Sequence, residues 1–314
     1  MGRYLLRRLG LTLITLVLVS FAVFAAAEVL PGDVGRTILG PYASQQQVDQ
    51  LNHQLGTDEP LVKRYVTWAG NFVRGDWGES PIQRVPVRPL VLERLKNSLI
   101  LGAFALILIV PFSVALGVFS ALNYGKALDR IISISGLSFV ALPEFVVGVV
   151  VIVVFAVQLG WFPTTSQVPS ADPVDIVRQC LLPCIPVMFV LFGYISRMAR
   201  AGTIEALRSN YTRTAVLKGL PQRQVILRHV LRNSLLPTIT VVSVQVGYLV
   251  GGLVVVETLF NYPGIGQLIL TAATGHDLPV LEASVLMIAL IYTASNLVAD
   301  VVSALLNPRV RLAT

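Results

Sequence analysis

Residues 97–125 read NSLILGAFALILIVPFSVALGVFSALNYG, and this run contains no charged side chain. The hydrocarbon core of a bilayer is about 30 Å thick, so a helix needs about 20 consecutive apolar residues to cross it. The run exceeds that length, and an α-helix would satisfy all of its backbone hydrogen bonds internally. We therefore predict a membrane-spanning helix here and an integral membrane protein overall.

The composition of the whole chain agrees with this prediction. Of the 314 residues, 54% are apolar and 13% are charged, whereas a soluble domain carries about 25% charged residues. The net charge of +7 would suit nucleic acid, but the basic residues fall between apolar runs and form no soluble face. Cys180 and Cys184 lie in one apolar run with no histidine near them, which favours packing over metal binding. We expect no metal and no cofactor in this chain, and no nucleic acid as a partner.

Uncharged runs occur at five further places, and together they predict a single all-α transmembrane domain over residues 1–314. The first run follows a basic N-terminus, as in a signal peptide, but it exceeds the usual 7 to 15 apolar residues of such a peptide. We therefore expect it to be retained as a span. The six predicted spans cover about residues 9–29, 98–122, 131–157, 180–197, 235–258 and 281–305.

The orientation follows from Lys and Arg in the short loops, which favour the cytoplasmic side. Eight basic residues lie between positions 197 and 232, whereas the short loops of the other side hold Arg178 alone. We expect both termini in the cytoplasm. Residues 30–96 then form an extracytoplasmic insertion, with helices predicted near 45–55 and 61–73, and residues 198–233 form a cytoplasmic loop.

The cytoplasmic loop contains a short predicted helix at about residues 211–218. Gly219 would end it, because glycine accepts the left-handed C-terminal conformation, and Pro221 cannot continue it. Ala215 and Gly219 are small enough for close contact with another protein, and Arg213 and Lys218 would orient that contact. A basic loop that touches only lipid headgroups explains these residues equally well.

Several motifs follow one another along the chain. The loop carries Tyr211-x-Arg-Thr-Ala-x-x-Lys-Gly-Leu220 and then Leu231-Arg-Asn-Ser-Leu235. Other motifs are Gly75-Asp-Trp-Gly-Glu-Ser80, Glu257-Thr-Leu-Phe-Asn-Tyr-Pro-Gly-Ile-Gly266 and Asn307-Pro-Arg309. In this order they resemble the B-type permease subunit of the dipeptide and oligopeptide ABC importers. The likeness covers nearly the whole chain and departs from the family's usual residues at Asn210 and at Val216-Leu217.

The resemblance implies the six-helix type I fold of importer permeases in the bacterial inner membrane. The chain would form half of a translocation pathway together with a homologous C-type permease. Two ABC ATPases, which bind ATP and Mg, would dock on the cytoplasmic loops, and an extracytoplasmic binding protein would deliver the cargo. The insertion would receive that protein or act as a stabilising lid. The expected cargo is di- or oligopeptides, with nickel, glutathione or haem as alternatives.

The resemblance also implies roles for individual residues. The short cytoplasmic helix would be the coupling helix, and its ATPase contacts would be Tyr211, Arg213, Thr214, Ala215, Lys218 and Gly219. Small residues in the fifth span permit close helix approach, either to the pathway and the partner permease or within one chain: Gly247, Gly251 and Gly252. The segment after the fifth span is expected near the substrate mouth, through Glu257, Phe260, Pro263, Gly264 and Gly266.

Two other functions can be weighed from the residues. ATP hydrolysis by the chain itself would require G-x-x-x-x-G-K-[ST], but Ser120 stands where that motif needs its first glycine, so we expect no enzyme activity. A proton-coupled carrier stays open, because ionisable groups inside a membrane are usually functional. Glu144, within the third span, is the candidate residue, and it would face the pathway, the partner permease or the outer half of the bilayer. Glu257, Glu282 and Asp300 are expected to reach water at helix ends.

Overall fold

The structure is a computed structural model that describes residues 2–29, 36, 39–40, 42–55, 60–170 and 172–306. Within these residues it is built from helices, with one isolated bridge between Glu79 and Pro86. The motif at 307–309 lies outside the described residues. The helices are α1 (Gly2–Val29), α2 (Gln45–Leu55), α3 (Leu61–Arg74), α4 (Val87–Leu122), α5 (Ala127–Ala141), α6 (Glu144–Gln158), α7 (Pro173–Leu207), α8 (Asn210–Leu217), α9 (Leu231–Leu259), α10 (Ile265–Gly275) and α11 (Leu278–Leu306).

Four long helices and two bent helices are the candidate membrane crossings. The helices α1, α4, α7 and α11 are each long and apolar enough to span a bilayer. The other two candidate crossings are bent: α5 and α6 meet at 101°, and the fifth span bends by 52° within α9, between Leu249 and Gly251. The predicted all-α permease fold is confirmed, and the number of spans is six if each bent helix crosses once.

The bend in the third span has a local cause at Pro143. A residue before proline avoids the helical conformation, and Leu142 accordingly has φ −77° and ψ 129°. Helix α5 therefore ends at Ala141, and α6 starts afresh at Glu144. The single helix predicted over 131–157 is thus two helices, a break that the apolar composition alone does not reveal.

The fourth span lies in a helix much longer than the predicted 180–197. The Asp172 carboxylate accepts the backbone N–H of Val174 at 3.1 Å and caps the N-terminus, and Pro173 occupies the first turn. The charged residues Arg178 and Arg197 bound the apolar run without ending the helix. The apolar run therefore measures the membrane crossing, and the helix continues beyond it at both ends.

Helix α7 is the central helix, and it contacts α4, α5, α6 and α9. Glycines allow the closest of these contacts: a Cβ on Gly193 would overlap the Gly136 carbonyl, and one on Gly202 would overlap the Ser234 carbonyl. Small residues let membrane helices approach in this way. The core around α7 contains Leu101, Leu182, Leu191, Ile195, Leu249 and Leu253.

The insertion between the first two spans packs against α1 and α10–α11. Its helices at 45–55 and 61–74 agree with the predicted ones. The Tyr65 hydroxyl lies 2.7 Å from that of Ser20 on α1, and the ring of Phe24 is 5.4 Å from Trp68. At the end of the insertion, the Ser80 hydroxyl donates to Asp277 before α11. The insertion is thus fixed to the end of the molecule that carries α10, opposite the end that carries α8.

Candidate functional site

Helix α8 is held to the rest of the chain by one face. The Ser209 hydroxyl accepts the N–H of Thr212 at its N-terminus, and the Thr212 hydroxyl donates to the Ala206 carbonyl at 2.7 Å. Ala215 is buried in a small cluster with Val225 and Val230. These contacts fix the helix against the end of α7 and the start of the fifth span.

The opposite face of α8 is exposed and partly apolar. Leu217 is 78% exposed and Val216 is 59% exposed, and Tyr211 also faces outward. Gly219 ends the helix with φ 72°, as its position predicts. The remaining exposed members of the predicted contact set are Arg213, Thr214 and Lys218.

The structure corrects the predicted set of ATPase-contact residues in two respects. Ala215 packs inside the chain and not on another protein, because the helix turns that residue toward Val225. Val216 and Leu217, which stood out in the sequence only as departures from the family, supply the exposed apolar surface. Their positions directly after an inward-facing alanine are the signal that could have identified them.

An ion pair between a buried aspartate and a partly exposed arginine lies near the base of α8. Arg200 of α7 donates to the Asp129 carboxylate through Nε at 2.6 Å and Nη2 at 2.9 Å. The same carboxylate accepts the Ser120 hydroxyl at 2.6 Å and the Gly125 N–H at 2.9 Å. Asp129 lies just before the third span, and the hydrogen bond from Arg200 holds the pKa of its carboxyl well below the usual range.

Tyr124 extends this ion pair toward α8. The guanidinium carbons of Arg200 and Arg208 lie 5.4 Å and 5.5 Å from the centre of its ring, within the range of a cation–π contact. Arg208 directly precedes Ser209, the cap of α8. The turn between the second and third spans is thereby joined to the base of α8, a connection that sequence analysis did not predict.

At the α10 end, Glu257 of α9 is fully buried, and its side chain caps the N-terminus of α10. Its carboxylate accepts the Ser98 hydroxyl at 2.5 Å and the N–H groups of Gly266 and Gln267 at 2.7 Å and 3.3 Å. The Ser98 oxygen in turn accepts the N–H of Ile265 at 2.8 Å. The first N–H groups of a helix have no partner within it, and here Glu257 and Ser98 satisfy three of them in α10.

The polar groups in the turn before α10 are also hydrogen-bonded within the chain. Tyr262 is buried and donates to the Asn97 carbonyl at 3.0 Å, and the Asn97 amide donates to the Pro263 carbonyl at 2.9 Å. Burial raises the pKa of the Tyr262 hydroxyl, so it stays a neutral donor. A Cβ on Gly264 would overlap the Glu257 carboxylate, so only glycine fits there.

These contacts correct the expectation for the segment after the fifth span. Four of its five predicted residues are buried and hold the turn, so they cannot contact cargo in this conformation: Glu257, Phe260, Gly264 and Gly266. Pro263 is half-buried and borders an open cavity of about 370 Å³. The expected access of water to Glu257 and Glu282 is also wrong, since both are buried, while Asp300 pairs with Arg8 at 3.0 Å.

The small residues of the fifth span separate into two groups. Gly247 is buried against the chain's own last span, where a Cβ would lie 3.1 Å from the ring of Tyr292. Gly252 lies beside the chain's own Tyr248. Gly251 is exposed, with open space around it. Gly247 therefore packs within the chain, and of the three only Gly251 is exposed.

Two family models together match most of the chain. Residues 113–312 match the family of binding-protein-dependent transport system inner membrane components, and residues 1–83 match the N-terminal family of the same systems. The chain belongs to this family and is a permease subunit of an ABC importer of the dipeptide and oligopeptide type, as the motifs predicted. Membership implies ATPase and permease partners.

Individual relatives match along their full length. The glutathione transport system permease protein GsiC of Escherichia coli (strain K12) is 36% identical over 314 residues, which cover 99% of each chain. The protein of the same name from Shigella flexneri serotype 5b is also 36% identical, and that from Shigella boydii serotype 4 is 35% identical, with the same coverage.

Proposed function

We propose that the α8 end faces the cytoplasm and that the exposed face of α8 docks into an ABC ATPase. The observation that carries this is the division of α8 into two faces. Ala215 and Thr212 are buried against the chain, whereas Leu217 and Val216 are exposed among basic residues. Exposed apolar side chains beside charged ones are typical of a surface that a partner protein covers. ATP and Mg would then be bound by the partner.

A substitution of Leu217 tests the docking. In the purified importer, Leu217→Glu should reduce the amount of ATPase that co-purifies and should lower cargo uptake by about tenfold, while the permease folds normally. Leu128→Glu is the matched control, because Leu128 is an exposed leucine at the same end. Equal ATPase recovery from L217E and the unsubstituted importer would contradict the proposal.

The rest of the complex follows from the same class. We infer that a second, C-type permease completes the pathway in the bacterial inner membrane, with the termini of both subunits in the cytoplasm. An extracytoplasmic binding protein would deliver cargo at the α10 end, where the insertion lies. Deletion of 45–73 separates the two roles of the insertion, because loss of binding-protein docking indicates a receptor and retained docking indicates a lid.

The proposed cargo is a short peptide of about the size of glutathione. Its support is the name of the relatives that match over their full length. Uptake of labelled glutathione, dialanine, trialanine, nickel and haem should be measured in cells that lack their own importers for these compounds. Uptake of the peptides alone is expected. Uptake of nickel or haem alone would contradict the peptide cargo, and uptake that survives loss of both ATPases would instead identify a proton-coupled carrier.

A further inference from the structure

A row of polar side chains follows one face of the third, fourth and fifth spans. Tyr194 on α7 and Tyr248 on α9 are 45% and 43% exposed. Helix α9, which carries Tyr248, packs against α7, which carries Tyr194, and against α6, whose first residue is Glu144. Toward the α8 end, Tyr194 borders a cavity of about 540 Å³ that is also lined by Arg197, Ser133 and Val241. The row therefore continues from Glu144 to Arg197 across three spans.

Lipid is an unfavourable neighbour for this face. Tyr248 and Glu144 lie near the middle of their predicted spans, far from the interfaces where tyrosines and long basic side chains reach headgroups. One carboxylate oxygen of Glu144 is buried with no hydrogen-bond partner in the part of the chain that the structure describes. Ionisable groups at such depth face a cavity or a partner and not lipid. Apolar side chains such as Ile107, which is 72% exposed, mark a lipid-facing surface instead.

The charges along the row have opposite signs at its two ends. Glu144 is a carboxylic acid, and the exposed Arg197 is a permanent cation. Val241 lines the cavity of Arg197, and Tyr248 lies two turns further along α9 on the same face. Seven helical residues separate Val241 from Tyr248, which corresponds to about 10 Å along the axis. Three residues of extended peptide span about the same distance.

We propose that this face lines the translocation pathway and transiently binds a short zwitterionic peptide, with Glu144 toward its ammonium end, Arg197 toward its carboxylate and the two tyrosines between them. The inference rests on the proposed peptide cargo and adds the residues that receive it. Of these residues only Glu144 was a candidate from the sequence.

Cysteine labelling tests the pathway directly. In membrane vesicles that contain the complete importer, Tyr194→Cys and Tyr248→Cys should react with a charged, water-soluble thiol reagent at least about tenfold faster than Ile107→Cys. The native Cys180 and Cys184 are fully buried and should contribute little labelling. Millimolar trialanine, a zwitterionic peptide without a thiol that could consume the reagent, should slow the labelling of Y194C and Y248C. Rates equal to that of I107C would overturn the pathway, and rates that trialanine leaves unchanged would overturn the binding.

Charge removal tests the two ends of the row. A charge-assisted hydrogen bond contributes enough that its loss lowers affinity about tenfold or more. Glu144→Gln and Arg197→Gln should therefore each lower glutathione uptake by about tenfold, with assembly verified by co-purification of the ATPases. Arg197→Lys should retain more uptake, and Arg130→Gln, at an exposed arginine of the same end, should retain all of it. Normal uptake by R197Q would overturn the assignment of that end.

The two proposals fail in distinguishable ways. If the unsubstituted importer takes up no peptide, the cargo is wrong, and the labelling rates still decide whether this face lines an aqueous pathway. If it takes up glutathione while Y194C and Y248C label like I107C, the inference alone is wrong.

Discussion

At the scale of single residues, the buried carboxylate of Glu257 stabilises the contact between three helices. This carboxylate accepts three hydrogen bonds that join α4, α9 and α10. Replacing it with alanine would leave buried donors without acceptors, which costs about 1–3 kcal/mol for each group. Glu257→Ala should therefore strongly lower the melting temperature of the purified importer, measured by loss of the monodisperse peak in size-exclusion chromatography after heating.

Two variants interpret that measurement. Glu257→Gln keeps the shape and one good acceptor, so its melting temperature should fall between those of the alanine variant and the unsubstituted protein. Glu93→Gln removes a carboxylate that is exposed near the same end and should change little. If the melting temperature of E257A equals that of E93Q, the Glu257 carboxylate does not stabilise the turn.

The Asp129–Arg200 pair is the second residue-scale prediction. Arg200→Met would leave the buried Asp129 carboxylate without its bidentate partner, at a cost of about 1.5–3 kcal/mol. Arg200 itself is partly exposed, so the lower part of that range is expected. Its removal would also take one cation from the ring of Tyr124 and loosen the base of α8. The expected result is a lower melting temperature together with ATP hydrolysis that is less well coupled to uptake.

The contribution of the Asp129 carboxylate to stability should depend on pH in a defined direction. Because the pKa of Asp129 is lowered in the folded protein, its contribution is present above the unfolded value of about 3.9 and is lost as pH falls through the folded value. The stability difference between the unsubstituted importer and Asp129→Asn should thus be constant near neutral pH and shrink only below about pH 4. A difference that shrinks between pH 8 and 6 would show that another group is responsible.

At the scale of helices, the crossing of α7 with the fifth span depends on Gly202. A Cβ there would overlap the Ser234 carbonyl, which is backbone and cannot rotate away. Overpacking of this kind typically costs about 1–3 kcal/mol, so Gly202→Ala should lower the melting temperature of the importer. Gly10→Ala is the control, because no atom lies within 4 Å of its added methyl group and alanine favours the helix.

The helices also show how far the sequence could predict the structure. The C-terminal end of α8 follows from Gly219 and Pro221, because local backbone chemistry sets it, and the apolar runs locate the six candidate crossings. The direction in which Ala215 faces depends on Val225 and Val230, and the burial of Glu257 depends on Ser98, distant in the chain. Such long-range contacts leave no periodic signal, so the glutamate was expected in water and the alanine on a partner.

At the scale of the whole molecule, the contacts define two ends. Asp129, Arg200 and α8 meet at one end, and the insertion, the turn before α10 and Ser166 meet at the other, where the Ser166 N–H donates to the Phe260 carbonyl at 2.9 Å. The third span is the more strongly bent of the two bent links between these ends, since its halves meet at 101°. A re-entrant hairpin would return to the end where it began, whereas these contacts place the start and the end of the pair at opposite ends.

That difference is a prediction about topology. Lys126 precedes α5 and Thr165 follows α6, and both are exposed. If the bent pair crosses the membrane, Thr165→Cys should react with an impermeant maleimide in intact spheroplasts, and Lys126→Cys should react only in inside-out vesicles. Tyr211→Cys on α8 should behave like K126C, because the positive-inside bias predicts a cytoplasmic position for it and the proposed ATPase contact requires one. Labelling of K126C and T165C from the same side would show a re-entrant pair, and it would also remove the aqueous face through Glu144, which needs α6 to continue across the bilayer.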